Sequence, residues 1–243
     1  MSNRLRSWFT LSVVVISTLM LGSLCLIARI FDRRGIFQGW ISRIWSGLIL
    51  SSAGVKIAVK GRENLLRRSA SVVLMNHESA LDIPIAFLGL PLQVRLMAKK
   101  ELYKIPFFGW ILSAGGHISI DRENPLQAIA NVNKYAKKIF ENKLSMLVYP
   151  EGTRSEDGNI GKFKKGGFKL AEIYNLPVIP VVLIGARECV AKKKLSVAPG
   201  RVKMVIEKPV YIEDFSDING CMEYVRTTMI SIKDKTKKLK DQI

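Results

Sequence analysis

The hydrophobic pattern changes character near residue 54. Before it, apolar residues run in long blocks. Trp8–Ile27, WFTLSVVVISTLMLGSLCLI, contains no charge, and as a helix rising about 1.5 Å per residue it covers roughly the 30 Å of a hydrocarbon core. Phe37, Trp40, Ile41, Ile44, Trp45 and Leu48 then recur at three-and-four spacing, with Ser42, Arg43 and Ser46 between them. That spacing predicts an amphipathic helix with two tryptophans, suited to a membrane interface or to a core-facing position.

After Gly61 the pattern turns into alternating short strands and helices. Strands are expected at Val55–Val59, Ser71–Met75, Val94–Ala98, Ile118–Ile120, Leu144–Tyr149, Val178–Ile184 and Val202–Ile206. Helices are expected at Leu81–Leu88, Phe107–Leu112, Pro125–Glu141 and Phe163–Tyr174, with Asn124 as a cap before Pro125. The Leu144–Tyr149 and Val178–Ile184 runs are almost wholly apolar, as in strands covered on both faces. These elements predict an α/β fold: a mixed sheet of about seven strands flanked by helices over residues 55–243, preceded by a hydrophobic two-helix membrane segment over residues 1–54.

Charge sharpens the picture. Against 20 Asp and Glu the chain carries 38 Lys and Arg, a formal net charge of +18. Such a balance calls for a polyanionic partner: nucleic acid, an anionic membrane surface or a phosphorylated substrate. The greasy N-terminus favours the membrane. A cleaved signal peptide fits poorly, because the apolar run is too long and is followed by Arg29, Arg33 and Arg34 rather than a small-residue cleavage site. With Arg4 and Arg6 at its other end, the positive-inside bias is weak, so a true span and a hairpin dipping into one leaflet both remain open. Cys25, Cys189 and Cys221 have no metal-ligand spacing and fit a reducing compartment.

Candidate chemistry sits in two loops that each follow a predicted strand. The first is NHESALD, Asn76–Asp82. On a continuous helix five residues would leave His77 and Asp82 about 140° apart. They can meet only if His77 lies in the turn before a helix that Ser79 caps and Asp82 opens. Asp82 would then accept from His77 Nδ1–H and leave Nε2 as a base. With no nucleophile at a fixed position, the attacking group would belong to the substrate. The second loop is YPEGTRS, Tyr149–Ser155, where Gly152 permits a tight turn and Arg154 offers a planar fork to phosphate or carboxylate. Lys162, Lys164 and Lys165 follow, ahead of Gly166-Gly167 and a helix; a helix N-terminus with cations near it suits an anion, although Lys162 and Lys164 read as a solvated basic loop. Both loops belong at the carboxyl ends of strands, where α/β sheets gather ligands.

These blocks resemble the lysophosphatidic acid acyltransferase family, the 1-acylglycerol-3-phosphate O-acyltransferases. The family's His-x4-Asp block is matched by NHESALD, its Lys-rich Pro-x-x-Gly block by KKELYKIPFFG (Lys99–Gly109) with ISIDR after it, its Pro-Glu-Gly-Thr-Arg-Ser block by Pro150–Ser155, and its apolar block by VIPV (Val178–Val181). The resemblance implies a glycerol-3-phosphate acyltransferase-like fold. It implies that His77 takes the proton from the sn-2 hydroxyl of lysophosphatidic acid as it attacks an acyl thioester, with Asp82 orienting the imidazole. Arg154, Lys99, Lys100 and Arg122 would bind the acceptor phosphate, and Glu151, Gly152 and Thr153 would shape the glycerol site. The donor would be acyl-CoA or acyl carrier protein, with no metal or bound cofactor, no nucleic acid, and a location at the cell (inner) membrane with the active site on the cytoplasmic side. Acylation of another glycerolipid or lysolipid acceptor is the nearest alternative. A hydrolase with Ser79 as nucleophile lacks a Gly-x-Ser-x-Gly elbow, and a non-catalytic basic lipid-binding module gives no reason for a paired His and Asp. His117 reads as structural, and the basic tail Ile232–Ile243 as a solvated helix end or frayed terminus.

Overall fold

The computed structural model describes residues 2–32, 35–66, 69–121, 123, 125–191 and 196–240. Two helices, α1 (Asn3–Ala28) and α2 (Ile36–Ala53), precede β1 (Val55–Lys60). Then follow β2 (Val72–Met75), α3 (Asp82–Gly89), β3 (Val94–Lys99), α4 (Lys100–Tyr103), α5 (Phe108–Ala114), β4 (Ile118–Ile120), α6 (Pro125–Glu141) and β5 (Ser145–Val148). The chain closes with α7 (Gly166–Ile173), β6 (Val178–Ile184), α8 (Ala186–Cys189), β7 (Gly200–Ile206) and α9 (Ile218–Lys240). The seven strands form one mixed sheet in the order β1-β7-β6-β2-β5-β3-β4. Every described pair is parallel except β6–β7. The carboxyl ends of β2, β3, β4, β5 and β6 therefore share one edge of the sheet.

The central strands β2, β5 and β6 are buried at every position because both faces are covered. Side chains alternate across a strand, and the register keeps like with like: Val73 lies beside Leu147 and Ile179, whereas Val72 lies beside Met146 and Val178. The Val73 face joins a core with Leu50 of α2 and Ile85 of α3. The Val72 face joins a second core with Phe140 of α6, Phe168 of α7 and Val225 of α9. At the end of β2, Asn76 continues the sheet with its side chain. Its Nδ2 donates to Leu183 O at 3.1 Å and its Oδ1 accepts from Leu183 N at 2.7 Å. That pin lets the next residue, His77, leave the sheet at a defined point.

The stripe predicted for Phe37–Leu48 divides in two. Ile41 is buried, and Trp45 donates its indole N–H to Thr18 Oγ1 of α1 at 3.0 Å. Phe37, Trp40, Ile44 and Leu48 stay exposed, by 46–57%. Thus α2 is a core-facing helix on one side and an uncovered apolar surface on the other. Gly54, at φ +69, turns the chain into β1. Residue 54 is a turn inside continuous packing, since Ile49, Leu50 and Ala53 share a core with Val73. Among the described residues α1 is the one helix long and apolar enough to cross a membrane. It leaves Trp8, Phe9, Ile16, Met20 and Ile27 exposed, while Gly22 lets Ile111 and Phe107 approach closely.

Most elements begin or end one to three residues from the sequence expectation, and three differences bear on the site. Helix α7 starts at Gly166 rather than Phe163, because Phe163 is drawn into the core and Lys164 N–H donates to Pro150 O at 2.8 Å. Strand β5 ends at Val148, one residue before Tyr149 turns away from the sheet. The basic tail is not simply solvated: residues through 240 extend α9, and Lys233 on it is 3% exposed. The expected cap Asn124 lies outside the described residues.

Asn76→Ala is expected to lower stability by about 2–3 kcal/mol, since it strands a buried N–H and C=O of Leu183. Thermal or denaturant unfolding in detergent measures this.

Candidate active site

Asp82 is the first residue of α3 and is completely buried. Its Oδ2 accepts three hydrogen bonds: from His77 Nδ1 at 2.7 Å, Glu78 N at 2.7 Å and Ser79 N at 2.9 Å. A carboxylate in the first turn of a helix also meets the positive end of the helix dipole. With Asp82 as acceptor, Nδ1 carries the imidazole proton and the Nε2 lone pair is left free. The His77 side chain is 16% exposed, so the ring is not sealed from solvent. The expected cap at Ser79 is not formed. Leu81 is the N-cap residue, and Ser79 Oγ instead donates to Val190 O at 2.8 Å and accepts from Leu81 N at 3.2 Å. The helix start has no side-chain cap, and Asp82 instead reaches back to the N–H groups of Glu78 and Ser79 in the loop before it.

Tyr149 supplies a platform that sequence reasoning missed. Its ring stacks on the His77 imidazole, with centroids 4.1 Å apart and planes at 24°. Burial pushes its phenol well above the usual range, with Asp82 adding in the same direction; the contact with the imidazole is one of stacked faces. The one available signal was its position: an aromatic at the end of β5, directly before Pro150.

The Pro150–Ser155 loop is wired to the histidine loop. Glu151 Oε1 accepts from His77 N at 2.9 Å, Glu151 Oε2 accepts from Gly161 N at 2.9 Å, and Ser155 N donates to His77 O at 2.7 Å. Glu151 is 9% exposed and uses both carboxylate oxygens on backbone, so it ties loops together. Gly152 sits at φ +73, and a Cβ there would lie 3.0 Å from Lys164 Cε and 3.1 Å from its Nζ. Lys164 is exposed, as the sequence reading expects, with its side chain running beside the turn that carries Thr153 and Arg154. Thr153 is exposed. Arg154 is half-buried and makes no hydrogen bond or ion pair with any described residue.

The remaining expected cations stand apart from this cluster. Lys99 ends β3 and pairs with Glu101 at 3.4 Å. Lys100 is engaged by Asp121 at 2.8 Å and Glu123 at 3.6 Å, which holds its ammonium at the ends of β3 and β4. Arg122 lies outside the described residues. His117 is structural, as expected: its Nδ1 accepts from Leu96 N at 3.1 Å, and burial, with Arg95 beside it, lowers it to about 3 and keeps it neutral.

This geometry sits inside a recognisable stretch of sequence. The family model named Acyltransferase matches residues 56–184, more than half of the chain. The chain belongs to the acyltransferase family. A 1-acyl-sn-glycerol-3-phosphate acyltransferase of Pseudomonas aeruginosa is 32% identical over 182 residues, covering 74% of this chain and 68% of that protein. One of Limnanthes douglasii is 32% identical over 183 residues, covering 75% of this chain; the chain spans 64% of that longer protein. Among solved structures, the 1-acyl-sn-glycerophosphate acyltransferase PlsC of Thermotoga maritima shares the fold, with a TM-score of 0.82 over 96% of both chains at 22% identity. The acyltransferase match ends with β6, so α9 and the residues it contributes lie beyond it.

Ser79→Ala is expected to keep acyl-transfer activity within about threefold and to cost about 1 kcal/mol of stability, because its hydroxyl serves only Val190 O and Leu81 N. Loss of turnover with the fold intact would reinstate Ser79 as a nucleophile.

Proposed function

We propose that this acyltransferase moves an acyl chain from an acyl thioester to the free sn-2 hydroxyl of lysophosphatidic acid, forming phosphatidic acid for phospholipid biosynthesis. One observation carries the reading. An imidazole whose Nδ1 is held by a buried carboxylate leaves Nε2 open, beside a loop that carries an arginine with no partner among the described residues. In this reaction Nε2 takes the hydroxyl proton as the oxygen attacks the thioester carbonyl carbon. Asp82 stabilises the imidazolium. The C–S bond then breaks, and the thiolate leaves with the proton returned from Nε2. General-base assistance of this kind contributes about 10²–10⁴-fold, with positioning supplying much of the rest. Because the thioester already carries the activation, no metal or bound cofactor takes part.

Arg154 suits the acceptor phosphate: its fork matches phosphate oxygens, and no described group competes for it. Lys99 is the next candidate, being exposed and only loosely paired; Lys100 would have to leave Asp121 to take part. Gly152 and Thr153 would lie along the glycerol, with Glu151 holding their loop. The donor is acyl-CoA or acyl carrier protein. The names of the relatives support lysophosphatidic acid as acceptor; another lysolipid is the alternative.

The exposed apolar faces of α1 and α2 support a bilayer setting, where acceptor and product both reside. The net charge of +18 supports an anionic lipid surface. That Cys25, Cys189 and Cys221 form no disulfide supports the cytoplasmic side of the inner membrane.

A matrix of thioester donors against lysolipid acceptors, read by product mass, tests the reaction. Wild-type enzyme is expected to give phosphatidic acid, His77→Ala to lose about 10³-fold or more in kcat, and Arg154→Ala to raise the acceptor KM far more than the donor KM. Turnover by His77→Ala at the wild-type rate would refute the base. For the membrane reading, Trp40→Ser with Ile44→Ser is expected to weaken co-sedimentation with anionic vesicles at unchanged Tm; undiminished sedimentation would contradict it.

A further inference from the structure

We infer that the buried Glu78–Lys233 pair is a positioning device for the His77–Asp82 dyad, through which α9 holds the histidine loop in its working geometry. The inference rests on the proposed role of His77 and adds a requirement that this role does not contain.

Glu78 sits between the two residues that matter most to the site. Its backbone N–H donates to Asp82 Oδ2, and the residue before it is His77. Its side chain Oε2 accepts from Lys233 Nζ at 2.8 Å, across 155 positions of sequence. The two side chains are 3% and 4% exposed. The ion pairs of Lys99, Lys100, Lys137, Lys169 and Arg226, by contrast, all lie at least partly in solvent.

Such a pair is a poor way to gain stability alone. Two ions lose their hydration, and apolar side chains of similar volume often do as well. What the ion pair adds is direction. A short charge-assisted hydrogen bond allows Glu78 one orientation, and Glu78 shares its backbone with the N–H that feeds Asp82. The Glu78 head is also closed in by the next loop. A Cβ at Gly158, where φ is +82, would lie 3.9 Å from Glu78 Oε2 and 3.2 Å from Arg187 Cδ. Arg187 in turn donates from Nη2 to Glu156 O at 2.7 Å. The loop after the arginine block is thereby packed over the pair.

The pair also balances charge next to the imidazole. The charged groups facing Glu78 are Lys233 on α9, Asp82 on α3 and Glu188 on α8, with Arg187 beyond Gly158. Burial pushes the Glu78 carboxyl up to about 7, with Lys233 pulling against it and Asp82 and Glu188 adding to it. Because Asp82 acts on Glu78, Glu78 acts equally on Asp82 and through it on the imidazolium. Removing Glu78 leaves the Lys233 ammonium uncompensated beside a ring that must become cationic during transfer.

The test uses the full chain in detergent, lysophosphatidic acid as acceptor, and whichever thioester donor turns over. Glu78→Gln, Lys233→Met and the double variant Glu78→Leu with Lys233→Met are compared with wild type and His77→Ala. The expected result is a kcat lower by about 10- to 100-fold in each pair variant, with acceptor KM unchanged within about twofold. Glu78→Gln should also move the acid limb of the kcat/KM profile down by about half a pH unit or more, and the double variant should leave that limb in place. The double variant keeps the test open if a single variant fails to fold, because an apolar pair is expected to hold Tm at or above wild type. Wild-type kcat in the double variant would overturn the inference by showing the pair to be merely structural. Wild-type kcat and an unmoved limb in a folded single variant would do the same. If His77→Ala is inactive while the pair variants match wild type, this inference alone fails; if His77→Ala turns over normally, the proposed function fails with it.

Discussion

Three N–H donors converge on one oxygen of a carboxylate that has no contact with solvent, and the site is arranged around that oxygen. Asp82 Oδ2 gathers His77 Nδ1–H with the backbone N–H groups of Glu78 and Ser79. A buried carboxylate is costly unless its lone pairs are met, so the loop from His77 to Ser79 must curl over the start of α3. One local requirement, satisfying Asp82 Oδ2, therefore sets the tautomer of the imidazole and leaves Nε2 as its lone-pair nitrogen.

The requirement propagates to the neighbouring strand. His77 N–H and C=O are taken by Glu151 and Ser155, so the two motif loops move as one body. Tyr149 lies under the ring and Asn76 anchors the chain just before it. The parallel arrangement of β2 with β5 makes this possible, because it brings both carboxyl ends to one edge of the sheet. Arg154 is left as the polar group of that cluster whose partner must come from outside the described chain. In the proposed reaction that partner is a phosphate on a lipid. The apolar faces of α1 and α2 would keep the enzyme where such lipids are.

Much of the fold was legible because periodicity survives burial. Ile118–Ile120, Pro125–Glu141 and Val178–Ile184 form at their expected limits, and the remaining strands shift by two residues or fewer. The His77–Asp82 contact was legible too, since their spacing admits contact only across a turn. The failures lie where a local preference meets a longer-range one. Ser79 looks like a cap, but Val190 O takes its hydroxyl, and its N–H is bound by Asp82 in the loop ahead of the helix. Phe163 looks helical, but the core claims its ring and Pro150 claims the next backbone N–H. The α2 stripe looks like one face because the heptad-like spacing cannot tell an apolar side chain facing protein from one left bare.

By itself the sequence determined the alternation of strands and helices, the apolar N-terminus, the basic charge and the residue types at the two loops. All of these depend on near neighbours in the chain, where spacing and propensity act directly. Only the tertiary structure decided that Glu151 is a tie between loops, that Tyr149 carries the imidazole, that Lys100 answers to Asp121, and that Lys233 reaches Glu78 from the far end of the chain. Each of those depends on which partner lies within about 3 Å of a polar atom, and that is set by strand order and helix packing, not by any pattern along the sequence.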